Sequence, residues 1–190
     1  MNKQPLLLGI TGAFGSGKST ASTFFATHGF TKIRLSYFLE EEIKQEFTGT
    51  ITRKMLQDKG NELREKHGAG ILAKKALEYI TKEKIERAVI DGLRNMEEVG
   101  VLYENPNFLL LALVADRDVR LKRLQENPRR EPLDMQTFAK LDYRDLGVGE
   151  KETGLQTGMC IALADVYIEN NSNETEFKKR LAQYLEETTE

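Results

Sequence analysis

A glycine-rich segment directly after the first apolar run constrains this chain more than any other feature. The apolar run covers Leu6–Thr11, and the segment after it fits the pattern G-x-x-x-x-G-K-[ST]. Its residues are Gly12-Ala13-Phe14-Gly15-Ser16-Gly17-Lys18-Ser19-Thr20. The pattern lies between a predicted strand and a predicted helix, which is the context that a phosphate-binding loop requires. The alternative is a turn rich in glycine and serine that binds nothing.

The residue types of this loop suit a polyphosphate. Glycines let successive backbone N–H groups point inward at phosphate oxygens, and the positive N-terminal end of the following helix adds to the attraction. Lys18 is predicted to reach the β- and γ-phosphates, and the Ser19 hydroxyl to coordinate Mg²⁺. We therefore expect ATP as the phosphoryl donor and Mg²⁺ as the cofactor.

Short apolar runs alternate with longer segments of helical periodicity, which is typical of an α/β fold with a parallel sheet. Predicted strands are Leu6–Thr11, Lys32–Leu35, Arg87–Asp91, Phe108–Val114 and Asp165–Glu169. Predicted helices are Lys18–Thr27, Tyr37–Glu46, Arg53–Lys66, Ile71–Thr81, Glu97–Tyr103, Arg117–Glu126, Asp134–Arg144 and Glu174–Glu187. The pattern predicts a three-layer fold, a five-stranded parallel sheet flanked by helices, in a single domain over residues 1–190. Ligands are expected at the carboxyl ends of the strands.

Composition narrows the classes of partner. The chain has 190 residues, a formal net charge of -2 and one cysteine, Cys160. The near-neutral charge argues against a dedicated nucleic-acid-binding protein, and the lone cysteine favours a reducing cytoplasm. The most apolar run, Phe108–Ala115, is far shorter than the roughly 20 residues that span a membrane. We expect a small-molecule nucleotide as the partner, with no nucleic acid, no membrane, and a monomer or homodimer.

Asp91 is the strongest candidate for a second Mg²⁺ ligand. It ends the apolar strand Arg87–Asp91, so parallel pairing should bring it close to the phosphates. The alternative is a capping residue for the next helix or turn.

Arginines supply the charge neutralisation that phosphoryl transfer needs, because a guanidinium group binds two oxygens at once. Arg120, Arg123 and Arg129 are predicted to act with Lys18 as catalytic residues, in a helix-loop-helix lid over residues 117–145. Such a lid would exclude water from the site. The alternative is that these arginines face solvent on amphipathic helices.

A second region is predicted to hold the phosphate acceptor. Residues 36–80 exceed a simple crossover and carry Arg53 and Arg64, while Arg94 follows a strand end. We expect these three arginines to bind the acceptor. For residues 36–80 the alternative is a plain helical hairpin, and for Arg94 it is an ion pair with Glu97 or Glu98.

These features together resemble a known family. The resemblance lies in Gly12–Thr20, Thr52–Arg64, Ile90–Asn95, Gln156 and Cys160–Asp165, and it covers nearly the whole chain. The chain resembles the nucleoside-monophosphate-kinase-like P-loop proteins, in the branch of dephospho-CoA kinase-like and deoxynucleotide monophosphate kinase-like proteins. That branch includes uncharacterised archaeal and bacterial P-loop proteins and the kinase-like domain of some deoxycytidylate deaminases. The resemblance implies a parallel-sheet core, a lid around residues 120–134, ATP·Mg²⁺ as donor and a nucleotide-like acceptor.

The sequence departs from this family at one position and lacks a partner domain. Relatives carry an aspartate after the second strand, where this chain has Tyr37. A hydroxyl acceptor benefits most from such a base, whereas a phosphate acceptor is already anionic. The zinc signature of the deaminases is absent. The sequence thus favours phosphoryl transfer to a nucleoside or deoxynucleoside monophosphate. The alternatives are a dephospho-CoA kinase-like enzyme and a nucleotide-sensing module without catalysis.

Overall fold

A computed structural model describes residues 4–126 and 133–189, and in these ranges the strands form a parallel sheet. The strands are β1 (Leu6–Thr11), β2 (Thr31–Arg34), β3 (Arg87–Asp91), β4 (Phe108–Val114) and β5 (Val166–Glu169). Their order in the sheet is β2-β3-β1-β4-β5, and every neighbouring pair is parallel. The predicted five-stranded parallel sheet is confirmed.

Helices connect the strands and cover both faces of the sheet. They are α1 (Lys18–Thr27), α2 (Leu35–Glu46), α3 (Arg53–His67), α4 (Ile71–Lys82), α5 (Met96–Tyr103), α6 (Arg117–Glu126), α7 (Met135–Leu146), α8 (Thr157–Ala162) and α9 (Glu174–Thr189). Helix α9 has 16 residues. Within the two described ranges, no helix is both long enough and apolar enough to cross a membrane.

Alternating side chains of the central strand β1 enter two different cores. Leu7 packs with residues of α2–α5 and α8 on one face. Leu8 and Ile10 pack with Phe25 of α1 and Phe177 of α9 on the other face. This alternation follows from the period of two in a strand, and it gives the three layers that the sequence predicts.

A third, smaller core joins the phosphate-binding loop to α6 and α7. Phe14 of the loop packs against Leu121 of α6 and Phe138 and Leu141 of α7. Asp134 begins α7 by accepting a 2.6 Å hydrogen bond from the Thr137 backbone N–H. The predicted lid, residues 117–145, therefore contains two helices, and the stretch 127–132 between them lies outside the described residues.

Several boundaries differ from the predicted ones. Helix α2 begins at Leu35, directly after β2, two residues before its predicted start. Strand β5 begins at Val166 rather than Asp165, whose carboxylate instead accepts a 2.7 Å hydrogen bond from the Leu110 backbone N–H. Helix α8 was not predicted, because six residues that include Gly158 give too weak a helical pattern.

Candidate functional site

The glycine-rich segment lies between β1 and α1, at the carboxyl edge of the sheet. Gly12 has a φ of 141°, and a Cβ there would lie 2.5 Å from the Leu113 carbonyl oxygen, so only glycine fits. Gly17 has a φ of 104° and is the residue that caps the N-terminus of α1. The loop therefore turns tightly into the helix, as the motif predicts.

Lys18 folds back over its own loop. Its Nζ donates hydrogen bonds to the carbonyl oxygens of Gly12 and Ala13, the second at 2.8 Å. Burial, together with the neighbouring guanidinium groups of Arg94 and Arg120, lowers the pKa of Lys18 to about 7, against the opposing charges of Asp91 and Asp142. The ammonium therefore lies in a place where an anion would stabilise its charged form.

Asp91 ends β3 in register with Ile10 of β1, beside the loop. Its carboxylate is 8% exposed and accepts a 3.1 Å hydrogen bond from the Ser22 hydroxyl of α1. Asp91 and Ser19 both line the same cavity. The described ranges contain no group of three or more His, Cys, Asp or Glu side chains that could hold a metal by themselves. The oxygen donors of Ser19 and Asp91 fit Mg²⁺, which commonly takes its other ligands from phosphates and water.

The loop opens into a cavity of about 1220 Å³, larger than the roughly 300–1,000 Å³ of common ligand pockets. One end is lined by the phosphate-binding loop and Asp91, and the other by α2, α3 and α4. Residues at the far end are Leu35, Leu39, Ile51, Arg53, Leu56, Gln57, Arg64, Leu72 and Leu155, with Arg94 between the two ends. The volume and the two differently lined ends suit two ligands bound side by side.

The far end contains a buried arginine held from behind by a carboxylate. Arg64 is 1% exposed, and its Nε donates to Glu98 Oε1 at 2.9 Å, with Nη2 at 2.7 Å from the same oxygen. Glu98 Oε2 in turn accepts hydrogen bonds from the backbone N–H groups of Arg94 and Asn95. Arg64 Nη1 is buried and has no hydrogen-bond partner in the described parts of the chain. The geometry leaves this nitrogen available to an anionic ligand.

Arg94 lies between the phosphate-binding loop and the far end. Its guanidinium is 5.2 Å from the Phe14 ring centre and forms an ion pair with Asp145 of α7 through Nη1. This pairing corrects the alternative prediction, in which Arg94 pairs with Glu97 or Glu98. Burial lowers the pKa of Arg94 to about 10, against the opposing charge of Asp91. A partly exposed guanidinium in this position can contact phosphates from either side of the cavity.

Arg53 and Arg64 share one face of α3 with Gln57, which the sequence analysis did not single out. Residues 53, 57, 60 and 64 are the polar and glycine positions of α3 that are buried. Their spacing of four, three and four places them on one side of the helix. That spacing was visible in the sequence, but only the structure shows that this polar face is buried.

Arg120 lies beneath the loop rather than in the cavity lining. Its Nη1 and Nη2 bond the two carboxylate oxygens of Asp142 at 2.5 and 3.0 Å, and Nη1 also donates to the Phe14 carbonyl at 3.0 Å. Arg120 is 6% exposed. These contacts place Arg120 as a support of the loop, with its guanidinium bonded to Asp142 and to the Ala115 and Phe14 carbonyls.

Arg123 lines the cavity but donates to main-chain carbonyls of the segment after β5. Its Nη1 lies 2.8 Å from the Asn170 oxygen, and its Nη2 lies 2.7 Å from the Ser172 oxygen. Asn170 Nδ2 in turn donates to the Ser16 carbonyl of the loop at 3.0 Å. Arg129, the third predicted catalytic arginine of this region, lies outside the described residues.

Tyr37 is 48% exposed and does not line the cavity. Glu40, one helical turn further along α2, does line it, and its Oε2 lies 3.4 Å from Arg34 Nη2. The family resemblance implies a carboxylate at position 37. The α2 carboxylate that lines the cavity is Glu40, about one helical turn further along. Sequence analysis did not single out Glu40, because the acidic residues 40–42 are consecutive and only the structure shows that Glu40 lines the cavity.

Helix α3 is fastened to α7 and the segment after it. Arg144 of α7 bonds Asp58 through Nη1 and Glu150 through Nε, both at 2.6 Å. Gln57 Nε2 donates to the Leu141 carbonyl of α7 at 3.2 Å. The wall of the far end and the predicted lid therefore share one set of polar contacts.

Comparison with known proteins gives the family and the fold. No family model matches the chain. It is 30% identical over 189 residues to a UPF0200 protein of Methanothermobacter thermautotrophicus, covering 97% of this chain and 92% of that one. It is 31% identical over 180 residues to a UPF0200 protein of Sulfurisphaera tokodaii, covering 94% and 95% of the two chains.

Among solved structures, the chain is similar to shikimate kinase from Acinetobacter baumannii in complex with shikimate. The TM-score is 0.60 at 13% identity, over 97% of this chain and 94% of the other. This likeness shows that the chain shares the fold of that kinase. The two sequence matches, which run nearly end to end, show that the chain belongs to the UPF0200 family.

Proposed function

We propose that this protein transfers the γ-phosphoryl group of ATP·Mg²⁺ to a nucleoside or deoxynucleoside monophosphate. One observation carries the proposal, namely a continuous cavity with a phosphate-binding loop at one end and a buried, partly unpartnered arginine, Arg64, at the other. A loop of this kind holds the triphosphate, and a guanidinium group with an open N–H suits a second phosphate. The fold shared with a kinase of known acceptor supports phosphoryl transfer as the reaction class.

The residues divide into a donor side and an acceptor side. The backbone N–H groups of Gly12–Thr20 bind the donor phosphates, and Lys18 exchanges its loop carbonyls for phosphate oxygens. Ser19 and Asp91 hold Mg²⁺, which when bound neutralises charge on the phosphate oxygens. Arg123 fixes the segment after β5 against the loop.

On the acceptor side, Arg64 and Arg94 bind the phosphate of the acceptor and Arg53 lines the wall beyond them. Arg94 leaves Asp145 to contact the transferring group, because it is the cation that lies between the two ends. The acceptor phosphate is already a nucleophilic anion, so the step depends on alignment and charge neutralisation rather than on a base. The apolar residues Ile51 and Leu56 at the far end suit the flat face of a nucleobase.

The test is a panel of ribo- and deoxyribonucleoside monophosphates with ATP and Mg²⁺, with diphosphate products separated by anion exchange. Lys18→Ala is expected to lower the rate by about 10²–10³-fold, since it removes one preorganised donor to the phosphates. Lys179→Ala, on the exposed face of α9, is the matched control and should keep the wild-type rate. A panel that yields no nucleoside diphosphate would contradict the proposal.

Transfer to a hydroxyl acceptor such as dephospho-CoA is the second candidate, and Glu40 is the observation that favours it. Its carboxylate lines the cavity and could accept a hydroxyl proton. If the acceptor is a hydroxyl, Glu40→Gln should lower turnover by about 10²–10⁴-fold. If the acceptor is a phosphate, the same change should alter turnover by only a few-fold, so one variant separates the two candidates.

A further inference from the structure

Gln57 of α3 is a buried polar side chain whose role the proposed function does not explain. It is 3% exposed and lines the far end of the cavity. It lies four residues after Arg53 and seven before Arg64, on the same face of the helix. Seven residues of α-helix rise about 10.5 Å between the two backbone positions. The Arg64 side chain reaches back toward Gly60, where a Cβ would lie 3.1 Å from Nη1, so the guanidinium lies closer to Gln57 than the backbone spacing.

The orientation of the Gln57 amide follows from its neighbour. The Leu141 carbonyl can only accept a hydrogen bond, so the group 3.2 Å from it is the amide nitrogen. The amide oxygen Oε1 must then point the other way. Oε1 is buried and has no hydrogen-bond partner in the two described ranges.

A buried acceptor without a partner is costly, and such groups in native proteins usually await a ligand or water. Gln57 Oε1 can be satisfied only by an N–H or O–H donor, which excludes phosphate and carbonyl oxygens. The cavity beside it is lined by Ile51 and Leu56, and these provide apolar contacts for a ring. A ligand with a flat apolar body and a hydrogen-bond donor at its edge would satisfy both Oε1 and these apolar contacts.

We propose that Gln57 determines which acceptor binds, by accepting a hydrogen bond from an amino or ring N–H group of the acceptor's nucleobase. The inference rests on the proposed function, because it places the acceptor phosphate at Arg64 and the base further along α3, toward the N-terminus of that helix. Bases that present an N–H group at this edge are selected, and bases that lack it leave Oε1 unpaired.

The size of the selection follows from the same reasoning. A site built to hydrogen-bond a ligand group rejects an analogue without that group far more strongly than it rejects a change in size, because its own polar atom stays unpaired. For one neutral hydrogen bond we expect a loss of affinity of about 10- to 100-fold.

The experiment compares matched 5′-monophosphates by isothermal titration calorimetry, a readout that needs no turnover. The pairs are adenosine and unsubstituted purine riboside, cytidine and 2-pyrimidinone riboside, uridine and N3-methyluridine, and inosine and N1-methylinosine. In the wild-type chain, at least one pair should show the preference of about 10- to 100-fold for the member with the N–H group.

Gln57→Leu should remove that preference, because leucine keeps the approximate volume and has no acceptor atom. A merely structural role for Gln57 would weaken both members of a pair equally and leave their ratio unchanged. Glu62→Gln, on the solvent-facing side of α3, is the control and should keep the wild-type ratio. Thermal melts of both variants establish that each is folded, and the analogue pairs test the wild-type chain without any substitution.

Three results would overturn the inference: no monophosphate binds, no pair shows a preference, or Gln57→Leu retains the wild-type ratio. The outcomes also separate this inference from the proposed function. Monophosphates that bind with a Gln57-dependent preference but yield no diphosphate would remove the proposed function and leave the recognition role intact. Diphosphate formation without any preference between the members of a pair would support the proposed function and remove the recognition role of Gln57.

Discussion

Glu98 Oε1 lies 2.7 Å from Arg64 Nη2, and both side chains are almost completely buried, at 0% and 1% exposure. The pair joins α5 to α3 across the wall of the cavity. The second oxygen of Glu98 accepts the backbone N–H groups of Arg94 and Asn95. One carboxylate thus orients both the acceptor-side guanidinium and the segment that carries Arg94.

Glu98→Gln is expected to destabilise the protein by about 3–5 kcal/mol, because it leaves the Arg64 charge buried without its counter-ion. The amide group of glutamine would also place an N–H donor beside the N–H groups that Glu98 accepts from, those of Arg64, Arg94 and Asn95. Equilibrium unfolding in urea, followed by circular dichroism, measures the change. The control is Glu62→Gln, since Glu62 pairs with Lys59 at the surface and its loss should cost at most about 1 kcal/mol. Equal unfolding midpoints for the two variants would show that the buried Arg64–Glu98 pair contributes no more to stability than the surface Lys59–Glu62 pair.

Gly60→Ala should weaken acceptor binding without lowering the thermal stability of the protein. Alanine is favoured over glycine within a helix by about 1 kcal/mol. A Cβ at Gly60 would, however, lie 3.1 Å from Arg64 Nη1, the nitrogen proposed to bind the acceptor phosphate. We expect KM for the acceptor to rise about tenfold, equivalent to roughly 1.4 kcal/mol, with Tm unchanged or higher.

Gly100→Ala is the matched control for Gly60, since Gly100 also lies in a helix, α5, and a Cβ there would meet nothing within 4 Å. It should raise Tm and leave KM unchanged. Steady-state kinetics measure KM for the acceptor in both variants, and thermal melts measure Tm. If Gly60→Ala behaves like Gly100→Ala in both measurements, the space beside Arg64 Nη1 is not used by a ligand.

Arg120→Ala is expected to act through the loop rather than through the reacting phosphate. The substitution leaves the buried Asp142 with only the longer 3.5 Å contact to Arg117 and removes a donor from the Phe14 carbonyl. Stability should therefore fall by about 3 kcal/mol. ATP affinity should fall together with stability. Adding Asp142→Asn should restore part of the stability, because it removes a buried charge that only the partly exposed Arg117 still compensates.

The two roles of Arg120 separate kinetically. A transition-state role would lower kcat and kcat/KM equally and leave the Kd for ATP unchanged. Loop support instead raises the Kd. Nucleotide titration and steady-state kinetics on Arg120→Ala therefore test the sequence-based prediction of a catalytic arginine directly.

Lys18 should take up a proton when ATP binds. Burial and the neighbouring Arg94 and Arg120 lower its pKa to about 7, against the opposing charges of Asp91 and Asp142. A bound triphosphate restores the charged form, so ATP affinity should fall as the pH rises above about 7. Calorimetry at pH 8 in two buffers of different ionisation enthalpy measures the proton uptake.

The same shift fixes a stability trend. Between about pH 7 and pH 10.5 the unfolded chain binds the Lys18 proton more tightly than the folded chain, so this residue makes stability rise with pH across that window. Lys18→Met removes the contribution and should flatten both the stability trend and the proton uptake. Unaltered pH dependence in Lys18→Met would place the titrating group elsewhere.

Local patterns were sufficient for the fold and for placing Gly12–Thr20 and Asp91 at the same edge of the sheet. The alternation of apolar runs and helical segments predicted the strand ends, and the motif Gly12–Thr20 predicted the loop between β1 and α1. These features depend on residues close together in the sequence. For the same reason, Asp91 at a strand end could be placed beside the loop before its structure was known.

The acceptor side was predictable only in outline. Arg94 pairs with Asp145, 51 positions away, and Arg120 with Asp142, 22 positions away. Neither pairing follows from helical spacing or strand register. Gln57 shows the same limit. An amide among charged residues is expected to face solvent, and its partner, the Leu141 carbonyl, is 84 positions away in the sequence.

The contacts of Arg144 with Asp58 and Glu150 have a mechanical consequence. They tie α3, which carries Arg53, Gln57 and Arg64, to α7, whose other residues pack on Phe14 of the loop. A displacement of α7 would therefore strain these contacts and, through them, the position of α3. The two walls of the cavity are in this way joined by polar contacts as well as by the sheet beneath them.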